Sequence, residues 1–284
     1  MDGFILVDKP KGLTSQNVCL KLKKRLNLDK CGHNGTLDPS TTGLLVVGCN
    51  KATKLMKFIN EHDKTYVTTI VFGYDSNTLD TDSEITNEVN MQFTYEDLLK
   101  ALEILKNKGK QIPPMVSAIK IDGKKMYELA RKGIEIELPE REVKIYNYEI
   151  LSELRTIDNH LEVDIKLDVS KGFYVRSFAR DLGKLLGGCA IMKSLRRTKA
   201  GEFDVAFATT FEEITTNNIV SIYDIFKFNK LNVNDYIAKL VKNGVVLDER
   251  QIITNEPFYV VNNNQVIAIY EPVEENKYKP VIIF

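Results

Sequence analysis

The segment from Leu161 to Val169 limits the possible folds most strongly, because its apolar residues occupy every second position. The apolar residues are Leu161, Val163, Ile165, Leu167 and Val169, and a charged residue stands between each pair. Successive side chains of a strand point to opposite faces, so this alternation predicts a strand with one buried face. Strand-like and helix-like segments follow one another irregularly along the chain. The sequence therefore predicts an α+β fold rather than a doubly wound α/β sheet.

Turn residues and helix caps divide the remaining chain into elements. We expect strands at residues 3–8, 44–49, 65–72, 117–121, 143–154, 161–169 and 191–199. We expect helices after a cap at Thr14 or Ser15, at 53–60, after the Thr94–Asp97 capping box, at 125–132 and around 178–185. Residues 32–43 and 73–90 are predicted to be loops. Short strands at 258–261, 266–270 and 281–284 indicate a small β module that starts near residue 231.

Charged residues are balanced in number but segregated along the chain. The 284 residues include 39 Lys and Arg and 39 Asp and Glu, which argues against a uniformly positive nucleic-acid binder. Basic residues are concentrated in residues 9–57, 106–133 and 171–199, whereas residues 74–103 are acidic. The three basic blocks either form one positive face after folding or lie on unrelated solvated helices. The length alone indicates about two domains.

Several common classes of site are not indicated. The sequence contains no GxxxxGK[ST], GxGxxG, HExxH or GxSxG motif, so a nucleotide triphosphate, NAD, zinc or serine hydrolase site is not expected. The N-terminus has no signal-peptide pattern, and the longest strongly apolar run, Leu44–Val47, is too short for a membrane span. The four cysteines lack CxxC spacing, which is typical of reduced thiols in a cytoplasmic protein. They are Cys19, Cys31, Cys49 and Cys189.

A glycine-containing polar loop, Gly32–Pro39, could present a reactive carboxylate. Pro39 holds Asp38 extended, and an apolar strand follows, so Asp38 would lie at a sheet edge as nucleophile, base or cation partner. The alternative is an ordinary Asp-Pro turn. Tyr174 and Arg176, after the alternating strand, could stack on a base and pair with a carboxylate, or could be ordinary surface residues. Tyr66 is either a third candidate or a core aromatic residue.

Together, these motifs resemble those of the bacterial tRNA pseudouridine-55 synthases, which isomerise a uridine in the T-loop of tRNA. The matching residues occur in the family's order over about residues 3–200. They are Gly3-x-x-x-Val7-Asp8-Lys9-Pro10-x-Gly12-x-Thr14-Ser15, Gly32-His33-x-Gly35-Thr36-Leu37-Asp38-Pro39, Ala52-Thr53-Lys54, Asp63-Lys64-x-Tyr66, Gln111-Ile112-Pro113-Pro114-x-x-Ser117-Ala118-x-Lys120, Gly123-x-x-x-Tyr127-x-x-Ala130-Arg131-x-Gly133, Ser170-Lys171-Gly172-x-Tyr174-x-Arg176 and Leu195-Arg196-Arg197. A series of ordered motifs is far more specific than any one of them.

The resemblance implies a fold and a site. The implied fold is a mixed, largely antiparallel sheet with flanking helices in residues 1–230, followed by a small β-rich, PUA-like RNA-binding domain in residues 231–284. Asp38 is the implied catalytic aspartate, Arg176 its partner and Tyr66 the residue that stacks on the target base. The other implied substrate-binding residues are His33, Tyr174, Leu195, Lys9, Gly35, Thr36 and Lys64. Asn34 stands where the family usually has Thr, and the C-terminal module is short and acidic.

The resemblance also implies the partner and the chemistry. The implied substrate is the T-arm stem-loop of tRNA, whose target base must leave the stack before an ionised Asp38 adds to C6 or reacts at C1′. No metal, no organic cofactor and no membrane is implied, and we expect a cytoplasmic monomer. One alternative is a tRNA folding chaperone that binds the T-loop without required catalysis. Another is a retaining glycoside hydrolase, which would need a second carboxylate as its general acid.

Overall fold

Strands of very different lengths form most of the regular structure. The computed structural model describes residues 2–33, 35–60, 63–117, 120–121, 124–125 and 138–284, with the backbone alone at 60, 120–121 and 124–125. The strands are β1 Gly3–Lys9, β2 Cys31–His33, β3 Thr42–Cys49, β4 Lys64–Phe72, β5 Tyr74–Ser76, β6 Ile85–Glu88, β7 Lys110–Gln111, β8 Lys120–Ile121, β9 Lys124–Lys125, β10 Arg141–Glu142, β11 Ile145–Ile150, β12 Arg155–Ile157, β13 His160–Val169, β14 Ala190–Ala200, β15 Phe203–Asp204, β16 Thr209–Thr210, β17 Val220–Ser221, β18 Asn229–Asn232, β19 Leu247–Asp248, β20 Phe258–Asn262, β21 Gln265–Glu274 and β22 Lys277–Ile283. The α-helices are Ser15–Arg25, Met56–Asn60, Tyr95–Lys108, Val175–Leu185, Ile222–Ile225 and Asp235–Lys242, and 3-10 helices occur at Asn50–Leu55, Val205–Phe207, Phe211–Glu213 and Thr216–Asn218.

The main sheet confirms the predicted α+β class. Its strand order is β11-β13-β4-β14-β3-β1-β16, and neighbours are antiparallel except for short parallel contacts of β14 with β3 and of β1 with β16. The alternation in β13 has the predicted consequence, because Val163, Ile165, Leu167 and Val169 are fully buried. These side chains share one apolar cluster with helices Tyr95–Lys108 and Val175–Leu185. The sheet is therefore mixed and largely antiparallel, with helices on the buried face of β13.

The apolar run in β3 is explained by two cores on opposite faces of the strand. Leu44 and Val46 pack into one apolar cluster, whereas Leu45 and Val47 pack into another that includes helix Ser15–Arg25. A strand covered on both faces needs no polar side chains at alternate positions. Thr14 caps this helix by accepting a hydrogen bond from the Asn17 amide at 3.0 Å. The fold thus places the helix directly behind the segment that leads to Asp38.

The acidic segment 73–90 contains a β-hairpin, so the prediction of a loop was wrong. Strands β5 and β6 pair antiparallel, and the Gly73 amide joins them to the main sheet by donating to the Cys189 carbonyl at 2.7 Å. Gly73 has φ +97°, and a Cβ there would lie 2.4 Å from the Val89 carbonyl oxygen, which is why glycine is required. Every residue of β6 is exposed, so no apolar alternation marked the hairpin in the sequence.

A second sheet forms the β-rich C-terminal region that was predicted. Its order is β18-β20-β21-β22-β19, and helix Asp235–Lys242 packs against it. Val261 and Ile269 of this sheet share an apolar cluster with Phe4 and Val46 of the main sheet, so the two sheets pack together. The predicted domain boundary at residue 231 stays a prediction. None of the helices in the described ranges is long and apolar enough to cross a membrane.

Most of the remaining predicted elements match within a few residues where the structure describes them. Three differ: the strand predicted at 143–154 ends at Ile150, the helix predicted at 53–60 begins as a 3-10 helix, and the predicted loop 32–43 contains the end of β2. The helix predicted at 125–132 is an exception, because residues 126–132 lie outside the described residues. Asn34 and 12 of the 28 residues of the basic block at 106–133 also lie outside the described residues, and Lys120, Lys124 and Lys125 are described by their backbone alone. The structure therefore does not test whether that block joins the other two.

Candidate active site

The segment before Asp38 is fixed by a buried serine. Ser15, the first residue of helix Ser15–Arg25, donates from its hydroxyl to the Leu37 carbonyl at 3.1 Å and accepts from the Leu37 amide at 2.9 Å. The Asp38 carbonyl in turn accepts from the Thr41 amide at 3.0 Å, which closes a turn over Pro39. The Asp-Pro turn is therefore present, and the functional interpretation of Asp38 stays a prediction.

The segment after Asp38 is fixed by a buried lysine. Lys9 Nζ donates to the carbonyls of Leu13 at 2.7 Å, Pro10 at 2.9 Å and Pro39 at 3.3 Å. The Gly12 amide also donates to the Pro39 carbonyl, at 2.8 Å. Burial lowers the pKa of Lys9 to about 8, although the nearby Asp38 carboxylate opposes the shift. Lys9 was expected to bind substrate, but it is fully buried and supports the loop from behind.

Arg176 pairs with Asp38 as the resemblance implied. It lies in the first turn of helix Val175–Leu185, and its Nη2 is 3.0 Å from Asp38 Oδ2. The same guanidinium donates to the carbonyls of Thr78 and Val116, each at 3.0 Å. The Arg176 side chain is 8% exposed and the Asp38 side chain 39%. The arginine is thus held by backbone groups behind it, while the carboxylate remains accessible.

Asp80 is a functional candidate that the sequence analysis did not identify. Its carboxylate lies 3.8 Å from Arg176 Nε, so one guanidinium stands between two aspartates. Asp80 is buried, and burial raises its pKa, an effect opposed first by the hydrogen bond from Thr78. The residue lies in the acidic hairpin, where one aspartate among many carried no local signal. Only the fold distinguishes it from its exposed neighbours.

A cavity of about 310 Å³ opens beside Asp38, within the range of small-ligand sites. Seven of the predicted residues besides Asp38 line it, namely Arg176, Tyr66, Tyr174, Leu195, Gly35, Thr36 and Lys64. Tyr174 is held by Gln111, whose side-chain amide donates to the Tyr174 carbonyl at 2.9 Å and accepts from its amide at 2.8 Å. Burial raises the pKa of Tyr174. The structure therefore brings together residues from four distant segments of the chain.

Two cations besides Arg176 line the cavity. Arg197 is buried, and its guanidinium donates to the carbonyls of Leu44 at 2.8 Å and Gly35 at 3.3 Å. It also hydrogen-bonds Tyr66, although burial lowers its pKa. Burial and the Arg197 charge lower the pKa of Lys64 to about 8. Arg197 belongs to the Leu195-Arg196-Arg197 motif, but no role in the site was predicted for it.

His33 is not among the residues that line the cavity. It ends β2, and burial, followed by the charge of Arg197, lowers its pKa. Its Nδ1 atom is buried without a hydrogen-bond partner among the described residues. The implied place of His33 beside the substrate stays a prediction.

The arrangement can hold a flat, polar ligand against a single carboxylate. Among the described residues that line the cavity, Asp38 is the one acid, and Lys64, Arg176 and Arg197 are the cations. Tyr66 and Tyr174 offer aromatic surfaces on which a base could stack. Within the described part of the chain, no three His, Cys, Asp or Glu side chains are grouped so as to hold a metal ion.

Comparisons with known proteins identify the family. The family model described as TruB family pseudouridylate synthase (N terminal domain) matches residues 23–175, and that described as tRNA pseudouridylate synthase B C-terminal domain matches residues 176–224. The chain is 42% identical to tRNA pseudouridine synthase B of Acholeplasma laidlawii, with 100% of both chains covered. It is 36% identical to the protein of that name in Bacillus cytotoxicus, with 99% of this chain and 96% of the relative covered.

Solved structures show the same fold at lower identity. A chain in the crystal structure of a Cbf5-Nop10-Gar1 complex has a TM-score of 0.67 at 24% identity, with 99% of this chain and 84% of that chain covered. A chain of an H/ACA RNP bound to a substrate RNA containing 2'-deoxyuridine has a TM-score of 0.63 at 22% identity, with 96% and 78% covered. From the family models and the full-length relatives, the chain belongs to the TruB family of pseudouridylate synthases.

Proposed function

We propose that this enzyme isomerises uridine to pseudouridine at position 55 in the T-loop of tRNA, with Asp38 as the nucleophile that acts on a flipped-out base. The membership of the TruB family supports pseudouridylation, and the relatives named tRNA pseudouridine synthase B support tRNA as the substrate. The observation that carries the proposal is the accessible Asp38 carboxylate, 3.0 Å from the Arg176 guanidinium, in a cavity also lined by two tyrosines.

The reaction is an isomerisation that needs a reactive group on the base or the sugar. The C1′–N1 bond breaks, the uracil turns, and a C1′–C5 bond forms, after which C5 loses its proton and N1 gains one. Asp38 could support this by adding to C6 of the ring or by reacting at C1′, and both paths need the ionised carboxylate. The Arg176 guanidinium, with its Nη2 3.0 Å from Asp38 Oδ2, pairs with this carboxylate and can hold it in place.

The cavity suits a base that has left the stack. Tyr66 is buried at the cavity wall, where its ring could stack on uracil, a contact worth about 1–3 kcal/mol per base. Lys64 and Arg197 add positive charge that would attract the phosphates on either side of the flipped nucleotide. These contacts would offset part of the free energy of unstacking.

The glycosidase alternative fits the site less well. A retaining glycosidase needs two carboxyl groups about 5–5.5 Å apart, on either side of the bond to be cleaved. Of the described residues lining the cavity, Asp38 alone is acidic, and Asp80 lies buried at the far end of the Arg176 guanidinium.

We propose further that the enzyme works as a cytoplasmic monomer on the T-arm stem-loop, with no metal and no organic cofactor.

The test is tritium release from C5-labelled uridine in an unmodified T-arm stem-loop RNA, without added metal or cofactor. We expect release by the wild-type protein and loss of roughly four orders of magnitude in turnover for Asp38→Asn, with RNA binding retained. Asp29→Asn, at an exposed aspartate that is not among the residues lining the cavity, is the matched control and should keep wild-type turnover.

Three different results would each contradict part of the proposal. Substantial tritium release by Asp38→Asn would remove the nucleophile assignment. Tritium release from an RNA that carries cytidine at position 55, with label in all of its uridines, would refute position 55 as the target. Stoichiometric binding by the wild-type protein without release would favour the T-loop-binding folding chaperone.

A further inference from the structure

Three of the four cysteines lie together behind the Asp38 loop. Cys31 and Cys49 are directly opposite each other on β2 and β3, and the Cys19 thiol lies within hydrogen-bonding reach of Cys31. All three side chains belong to the same apolar cluster as helix Ser15–Arg25. The chemistry proposed for the cavity uses none of these thiols.

The thiols differ in their access to solvent and in their reactivity. Cys19 and Cys49 are buried, whereas Cys31 is half-buried. The hydrogen bond with Cys19 lowers the pKa of Cys31, and the Lys23 ammonium acts in the same direction, although burial opposes both. The same hydrogen bond and burial raise the pKa of Cys19. Because the thiolate is the nucleophile toward peroxides, Cys31 is the thiol that should react first.

We propose that Cys31 and Cys19 form an oxidation site at which hydrogen peroxide produces a reversible disulfide. The Cys31 thiolate attacks one peroxide oxygen, the O–O bond breaks, and the leaving hydroxide takes up a proton to give water. The Cys19 sulfur then attacks the resulting sulfenic acid, and the leaving hydroxide takes the Cys19 proton as a second water. The two thiols lose two electrons and two protons, and one peroxide is reduced to two waters.

Cys19 is a better partner for Cys31 than Cys49 is. Directly opposite residues of an antiparallel pair have Cβ atoms about 4.5–5.5 Å apart, whereas a disulfide needs about 3.8 Å. The backbone positions of Cys31 and Cys49 are fixed by the β2–β3 ladder, so this gap is not easily closed. Cys19 lies on helix Ser15–Arg25 and not on this ladder, and its thiol already hydrogen-bonds with Cys31.

The disulfide would act on the support of Asp38. Helix Ser15–Arg25 carries both Cys19 and Ser15, and Ser15 holds Leu37, next to Asp38. An S–S bond of about 2.05 Å is shorter than any thiol contact, so it would draw the helix toward β2. A displacement of about 1 Å near a catalytic group can cost as much as a hundredfold in rate. We expect roughly tenfold lower turnover after oxidation, an effect that rests on the proposed function.

The experiment uses the full chain, reduced and then incubated with hydrogen peroxide. Peptide mass spectrometry should find Cys19 linked to Cys31, with the mass of two hydrogens lost, and tritium release should fall about tenfold relative to the reduced protein. Dithiothreitol should reverse both changes. Cys31→Ser and Cys19→Ala should abolish the linkage and the loss of turnover. Cys189→Ser, which alters a half-buried thiol outside the cluster, is the matched control and should keep both.

The proposal fails if no linkage forms, if Cys31 links to Cys49 instead, or if the linked protein keeps full turnover. It also fails if peroxide inactivates Cys31→Ser as strongly as the wild-type protein, because the loss would then come from another residue. Formation of the linkage does not depend on activity. If peroxide forms the linkage but the protein releases no tritium even in its reduced state, the result would therefore refute the proposed function and support the oxidation site.

Discussion

Replacing Ser15 by alanine would remove the hydroxyl that joins the first helix to the segment before Asp38. Ser15 is 1% exposed and Leu37 3%, and the hydroxyl serves both the carbonyl and the amide of Leu37. Alanine would leave one buried acceptor and one buried donor without partners, and each such group costs about 1–3 kcal/mol. The better helix propensity of alanine offsets about 0.5 kcal/mol. We expect the free energy of unfolding to fall by about 1.5–5.5 kcal/mol, which is the cost of the two unpaired groups less the helix-propensity gain.

Urea unfolding and tritium release together test this reasoning. Since the lost bonds fix Leu37, we expect turnover of Ser15→Ala to fall by at least about tenfold as Asp38 loses its orientation. Thr14→Ala is the matched control, because its hydroxyl accepts from the Asn17 amide of the same helix, and the loss of this cap costs about 1 kcal/mol. The argument is refuted if Ser15→Ala is no less stable than Thr14→Ala and keeps wild-type turnover.

Three further predictions concern the residues around the cavity. Asp80→Asn removes the second carboxylate beside Arg176, 3.8 Å from its Nε; we expect kcat to fall about tenfold, equivalent to about 1.4 kcal/mol, with unchanged RNA affinity in filter binding. Lys64, with its pKa lowered to about 8, is charged below that pH and neutral above it; RNA affinity should therefore weaken as pH rises through 8, and Lys64→Arg should remove this dependence. Gln111→Ala leaves the half-buried backbone of Tyr174 without two hydrogen bonds; urea unfolding should show a loss of about 1–3 kcal/mol, and an unchanged midpoint would contradict this.

Predictions of secondary structure from the local sequence were correct where the signal lies within a single strand or helix. The alternation in β13 and the capping box at Thr94 and Asp97 both have the expected structure. The hairpin of β5 and β6 was missed because its strands are short and β6 lies exposed, so that no period distinguishes it from a loop. Its place is set by backbone hydrogen bonds to the main sheet, which a local pattern does not encode.

The charge pattern shows the same limit. From the block 171–199, Arg176 and Arg197 reach the cavity, but from the block 9–57 Lys9 lies buried behind the loop. Lys64, which does line the cavity, belongs to neither block. The distribution of charges along the chain therefore predicted that the site would be positively charged, but it did not predict which residues supply that charge.

Local sequence was sufficient for the α+β class, the order of most elements and the family motifs around Asp38, because those features depend on neighbours in the chain. The contacts that make the motifs a site required the fold. Asp80 becomes a partner of Arg176, and Ser15 and Lys9 become supports of the Asp38 loop, only after sheet pairing has brought distant segments within hydrogen-bonding distance. Such contacts depend on strand register and on which face each helix covers, and neither can be read from the residues on either side.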